Sequence, residues 1–196
     1  MRCISAVLAA ALLAGCGQSE KARVANPNTS YIPSTGGSEA QPGDDSISYW
    51  DGDGVPGSPS VVIYLKEQRA YFYKGDQLVG VSQVSAGREG HNTPIGSYKI
   101  IQKDPDHASN LYGDYVDTSG NIVQKDVELG KDPKPPGAIF KGAPMPFFMR
   151  ITGGVGMHKG YLPGYPASHG CIRMPGKMAE SFYNNVVVGT PVQIVD

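Results

Sequence analysis

Beyond residue 58 the hydrophobic positions come in short runs, separated by polar or Gly- and Pro-containing segments. Val61, Val62, Ile63, Tyr64 and Leu65 predict a strand. Residues 70–73 predict a second, and 77–85, with Leu78, Val79, Val81 and Val84 on its faces, a third. The polar segments 67–69 and 74–76 are the turns between them. Residues 95–101, 147–152 and 155–158 predict three more strands, and 190–195 a closing one. Only 177–185 departs from this pattern: Met178, Ala179, Phe182 and Tyr183 recur at helical spacing, as in a short amphipathic helix. Many short strands with one helix predict a mainly β fold, a β-sandwich or barrel over residues 58–196. Residues 104–146 fit neither period and read as a long inserted loop. A stretch of that length is often a lid or binding loop; a decorative insertion is the alternative.

The chain ahead of this domain has a different character. Arg2 precedes an apolar segment at 4–13, which suits the roughly 7–15 residues of a secretory signal and is too short to span a membrane. Leu13-Ala14-Gly15-Cys16 closes that segment and resembles a bacterial lipobox. The resemblance implies removal of residues 1–15, lipidation of Cys16 and anchoring of an exported, cell-envelope protein to a membrane. The alternative is an ordinary signal peptide with an incidental Cys. Gly17 after the Cys is compatible with an outer-membrane destination. Residues 16–57, rich in Ser, Gly, Pro, Asn and Asp, read as a flexible tether, with Tyr49 and Trp50 able to pack on the domain edge. Asp51-Gly52-Asp53-Gly54 begins like a calcium loop, but Val55 and Pro56 stand where a ligand and a Gly are needed, so a turn is expected and no metal.

Composition narrows the function classes. The 196 residues carry a formal net charge of −1, which argues against a nucleic-acid partner. Gly 26 and Pro 16 suit a chain with many turns. Of the three Cys, Cys3 leaves with the signal and Cys16 would be capped by lipid. Cys171 is then the single thiol of the mature chain, which can form no internal disulfide and is expected to be a monomer.

That thiol sits in Ser168-His169-Gly170-Cys171-Ile172-Arg173, with His158 upstream across a Gly- and Pro-containing segment. A thiol is a useful nucleophile as thiolate, and a neighbouring His lowers its pKa from about 8.5 into the range of roughly 3.5–7.5. Gly170 permits close backbone approach, so the amides of Gly170 and Cys171 are candidate oxyanion donors. Thiol, imidazole and backbone donors together suit acyl transfer without a cofactor. A buried structural Cys is the competing reading. A zinc site is a further one, but one Cys and two His leave a closed structural site a ligand short.

The same residues resemble the YkuD-type L,D-transpeptidases of bacterial cell walls, whose signature is Ser/Thr-His-Gly-Cys-apolar-Asn/Arg with an upstream His. The resemblance runs from about residue 59 to 196 and includes the opening hairpins and Thr93-Pro94-Ile95-Gly96. Only nine residues separate His158 from Ser168, fewer than in many members, so 104–146 is left to cover substrate. The family implies attack by Cys171 on a peptidoglycan tetrapeptide stem, before its terminal D-residue. A thioester forms and is transferred to an amine, giving a crosslink or an anchored protein. His158 would be base and acid, oriented by the carbonyl of Lys159, with His169 a structural residue of the oxyanion loop. Arg173 and Ser168 are candidate substrate-binding residues; a salt bridge holding the loop is the other reading of Arg173. Tyr161 and Tyr165 are candidate cleft residues, while His91 and His107 are expected at the surface. An L,D-carboxypeptidase or endopeptidase with water as acceptor, and a catalytically silent peptidoglycan-binding lipoprotein, are the alternatives.

Overall fold

The computed structural model describes residues 47–196, residue 45 and the two-residue strand β1 (Ser30–Tyr31). The signal segment, the lipobox Cys16 and most of the tether lie outside the described residues.

The first sheet grows from a meander of three strands, β3 (Pro59–Tyr64), β4 (Arg69–Lys74) and β5 (Gln77–Gln83). β2 (Tyr49–Trp50) precedes them, and β6 (Gly96–Lys99) follows. The last strand, β14 (Pro191–Val195), lies parallel to β3 and antiparallel to β6, giving the order β1-β2-β5-β4-β3-β14-β6. Alternation sets one face inward: Val61 and Ile63, Ala70 and Phe72, Val192 and Ile194 are buried, and their neighbours are not.

A second sheet, in the order β13-β12-β11-β7, is made of β7 (Gln102–Asp104), β11 (Phe148–Thr152), β12 (Val155–Lys159) and β13 (Ile172–Met174). Met149, Ile151, Met157, Ile172 and Met174 face the same core as the first sheet, closed by Met178, Ala179 and Phe182 of helix α1 (Gly176–Asn185). This is a mainly β fold with one short helix.

Two expectations are corrected. The tether was expected to reach residue 57, yet Tyr49 and Trp50 pair with Val81 and Gly80 of β5. Trp50 lies toward the edge of the sheet, as expected, and also enters the core. It is 5% exposed, packs edge-on to Phe72 at 5.0 Å, and rests on bare backbone at Gly52 and Gly80, where a Cβ would lie under 3 Å from the indole. Its Nε1–H donates to Asp53 Oδ1 at 2.8 Å, so Asp53 serves the turn that was expected there.

The second correction is the inserted segment. Far from lacking regular structure, 104–146 contains β8 (Ala108–Val116), β9 (Ile122–Glu128) and β10 (Ile139–Pro144), a third sheet in the order β10-β8-β9. Its own small core is Tyr115, Val127 and Ala138, with Phe140 against it.

Candidate active site

β12 and β13 run parallel, pairing Met157 with Ile172 and His158 with Arg173. Side chains alternate across a strand, and Met157 and Ile172 face the core at 0% exposure. His158 and Arg173 therefore share the opposite face. Cys171, two residues before Arg173 on the approach to β13, has its thiol within reach of the Arg173 charge. The sheet thus brings His158, Cys171 and Arg173 together although the first two lie 13 positions apart in the chain.

His158 is 6% exposed, and its Nδ1–H donates to the Lys159 carbonyl at 2.7 Å. That bond fixes the tautomer and leaves Nε2 with a free lone pair. The carbonyl is itself held, because the amide of the same peptide unit, Gly160 N–H, donates to Met174 O at 3.0 Å.

The nucleophile loop is fastened on its other side. Ser85 and Arg173 exchange both backbone bonds, at 2.9 and 3.0 Å. Ala86 O accepts from the amides of Ala167 and Ser168, and Arg88 N–H donates to Ser168 O at 3.0 Å. Ser168 itself is 2% exposed. Its hydroxyl donates to Cys171 O and accepts from Gly170 N–H at 3.0 Å. The Gly170 amide, expected as an oxyanion donor, is therefore spent on the loop. The Cys171 amide is not taken by any loop or side-chain partner among the described residues. Gly170 has φ +111°, a left-handed conformation that explains Gly at this position.

Thr93 is a residue that sequence reasoning placed in the resemblance but gave no task. Its hydroxyl donates to Gly170 O at 2.8 Å and accepts from Gly87 N–H at 2.9 Å, at 4% exposure. A Thr before Pro after a Gly-rich turn was the available signal.

The electrostatics differ from the thiolate–imidazolium expectation. Burial pushes the Cys171 thiol up, against the smaller opposing pulls of the Gly156 amide and the Arg173 and Arg150 charges. The thiol donates to Gly154 O at 3.4 Å. Burial also pushes His158 down, to about 4, with Arg173 and His107 adding to the effect and the Lys159 carbonyl opposing it. Near neutral pH the resting pair is thiol and neutral imidazole.

His169 is arranged for something else. Arg88 Nη2 donates to its Nε2 at 2.8 Å, and Tyr112 of β8 stacks on it at 4.1 Å. His91 stands edge-on to it at 4.8 Å, so His91 belongs to this aromatic group. His107, expected at the surface, lies flat on Phe148 at 4.2 Å and pairs with Asp104. Tyr161 and Tyr165 are exposed, though Tyr165 O accepts from Ser85 Oγ at 2.8 Å. Arg173 is half-buried and has no carboxylate within 4.0 Å among the described residues.

Residues 58–194 match the YkuD family, the L,D-transpeptidase catalytic domain. The chain belongs to this family. Two similar sequences bear names for the same activity. YqjB of Bacillus subtilis is 27% identical over 143 residues, covering 72% of this chain and 74% of that one. ErfK/SrfK of Salmonella typhimurium is 28% identical over 144 residues, covering 69% of this chain but 44% of that one, so the chain spans under half of this relative's length. Among solved structures, an L,D-transpeptidase from Mycobacterium smegmatis superposes with a TM-score of 0.54 at 19% identity, over 71% of this chain and 59% of that one. The L,D-transpeptidase C442S mutant of Enterococcus faecium gives 0.51 at 22% identity, over 71% and 50%. At these identities the superpositions show the fold: the two sheets and helix are those of L,D-transpeptidases.

Proposed function

We propose that this chain is a cysteine-dependent L,D-transpeptidase acting on peptidoglycan stem peptides. The observation that carries the reading is the placement of Cys171 and an oriented His158 together at the paired strands β12 and β13, in a member of this catalytic-domain family.

The chemistry follows from the neutral resting pair. Cys171 Sγ attacks the carbonyl between the third stem residue and the terminal D-residue while His158 Nε2 takes the thiol proton. Negative charge develops on the carbonyl oxygen, where the Cys171 amide is the available donor. The C–N bond then breaks, the imidazolium returns the proton to the departing amine, and a thioester remains. An acceptor amine attacks the thioester, His158 removes its extra proton, and the sulfur leaves and is reprotonated. Proton transfer concerted with attack avoids holding a bare thiolate in a buried site.

Arg173, with no carboxylate partner among the described residues, carries a guanidinium fork beside the nucleophile, the right group for a stem carboxylate. Ser168 acts on the loop, through Gly170 and Cys171, instead of on substrate. His169 holds the loop against Arg88 and Tyr112. The inserted sheet serves as the substrate cover. Lipidation at Cys16 would place the domain at the periplasmic face of an envelope membrane, with the tether giving it reach.

Mass spectrometry of products from purified stems tests the reading. A tetrapeptide donor and an amine acceptor should give the crosslinked species with loss of the terminal D-residue. Loss of that residue with water as the only acceptor would identify an L,D-carboxypeptidase instead, and no reaction at all would identify a silent binding protein.

A further inference from the structure

The inserted sheet leaves and re-enters the domain through a narrow neck that abuts the candidate base. There β7 pairs with β11, setting Asp104 opposite Phe148. Met145 N–H donates to His107 O at 2.7 Å and Phe147 N–H to Pro105 O at 2.9 Å, joining the outgoing and returning chain. Lys159 N–H donates to Pro146 O at 2.9 Å, which ties the neck to the residue whose carbonyl orients His158.

The side chains at the neck form a layered contact. His107 lies on the Phe148 ring with centroids 4.2 Å apart and planes 15° from parallel. Its Nδ1 is 3.1 Å from Asp104 Oδ2. Phe148 is fully buried, and its ring centroid is 6.3 Å from that of His158, tilted by 52°. The Arg150 guanidinium lies 4.9 Å from the same Phe148 ring. A packed aromatic ring that touches two imidazoles transmits any shift of one to the other, because close-packed interiors leave no slack.

We propose that His107, clamped by Asp104 against Phe148, is a positioning residue for His158. It holds the wall against which the base rests, and its charge, balanced by Asp104, biases the protonation of the base. The catalytic consequence rests on the reading of His158 as general base, but the coupling itself does not. The charges that act on His158 are those of Arg173 at β13 and His107 at the neck; Asp104 pairs with His107, Arg150 lies on the Phe148 ring, Cys171 precedes β13, and Lys159 follows on the same strand as the base. Of these, only His107 and Asp104 belong to the neck that carries the inserted sheet.

The test is an NMR titration of the His158 ring in the resting protein, which is independent of whether transpeptidation is the activity. His107→Phe keeps the stack and removes the imidazole that acts to lower His158, so the His158 midpoint should rise. Asp104→Asn removes the carboxylate that lies 3.1 Å from His107 Nδ1, so the midpoint should fall. Each shift should be roughly half a pH unit for a charge across one ring. Opposite shifts, followed in the same directions by the acid limb of Cys171 acylation, are the expected result. A purely structural role would move both variants the same way or neither, and either outcome overturns the proposal. If His107→Phe does not fold, His107→Gln makes the same comparison.

Discussion

Tyr112, on the central strand of the inserted sheet, stacks on His169 of the Ser-His-Gly-Cys segment with ring centroids 4.1 Å apart and planes 22° from parallel. Arg88 fills the Nε2 lone pair of the same imidazole at 2.8 Å. The lone pair needed for base catalysis is thus occupied, and the ring is a fixed post between the insertion and the nucleophile loop. Tyr112→Ala should remove a ring contact worth about 0.5–1.5 kcal/mol and lower the rate of Cys171 acylation by roughly 2- to 12-fold. Tyr112→Phe should retain most of that rate. Acylation kinetics of the two variants, compared with their melting temperatures, check the prediction.

Thr93 and Ser168 are polar and almost fully buried, and each hydroxyl is used twice. Thr93→Val keeps the shape and leaves the Gly87 amide and the Gly170 carbonyl without that partner. Destabilisation of about 1–3 kcal/mol is expected, seen as a lowered denaturation midpoint with an unchanged denaturant slope. An unchanged midpoint would mean that water replaces the hydroxyl.

Much of the fold could be read in the chain because the core strands obey a period of two. In β3, β4 and β14 every buried, inward position is apolar, while the outward ones mix polar, aromatic and aliphatic residues. The inserted sheet escaped that reading for a physical reason. Its core holds little more than Tyr115, Val127, Ala138 and Phe140, so few positions needed to be apolar. Register shifts along β8 and the left-handed Asp126 at φ 54° also break the alternation. Trp50 was undervalued because a two-residue strand in a Gly-rich stretch has no period at all. At the site, the Cys and His were visible as chemistry. The Gly170 amide was misassigned because a Ser two residues earlier captures it, a contact that spacing does not reveal. The protonation states depend on burial, which no motif encodes.

Cys171→Ala should fold as the parent does and lose all exchange on tetrapeptide stems. The parent should gain one acyl adduct with a carbapenem, and the Ala variant should gain none. Intact-mass measurement reads both. Turnover by the Ala variant would remove Cys171 from the mechanism.

His158→Ala should lower acylation by about 10²–10⁴. The thiol should nevertheless titrate above its ordinary value in both proteins, because burial raises it and no imidazolium holds it down. A pH profile of thiol alkylation measures this. A fall of the parent thiol into the range of a thiolate–imidazolium pair, lost in His158→Ala, would contradict the neutral resting state.

The lipobox reading is checked separately from the catalytic one. Cys16→Ser should move the protein from the membrane fraction to the soluble fraction after alkaline washing and leave the activity of the domain intact. Retention on the membrane would count against an anchor at this residue.

Protonation of His158 also ties stability to pH. Its value is pushed down to about 4 by burial, against about 6.5 in an unfolded chain. Between these limits the unfolded state binds a proton that the native state refuses, so stability falls as pH drops. The contribution is fully present above about pH 6.5 and is lost progressively down to about pH 4, reaching about 3 kcal/mol. Cys171 acts at the other end. Its raised value keeps the native thiol protonated where the unfolded one ionises, so stability falls again in alkali. His158→Asn leaves an amide able to donate to Lys159 O but removes the titration. Denaturation midpoints between pH 4 and 7 should then slope less for this variant than for the parent. Equal slopes would mean that another group, not His158, governs the acid side.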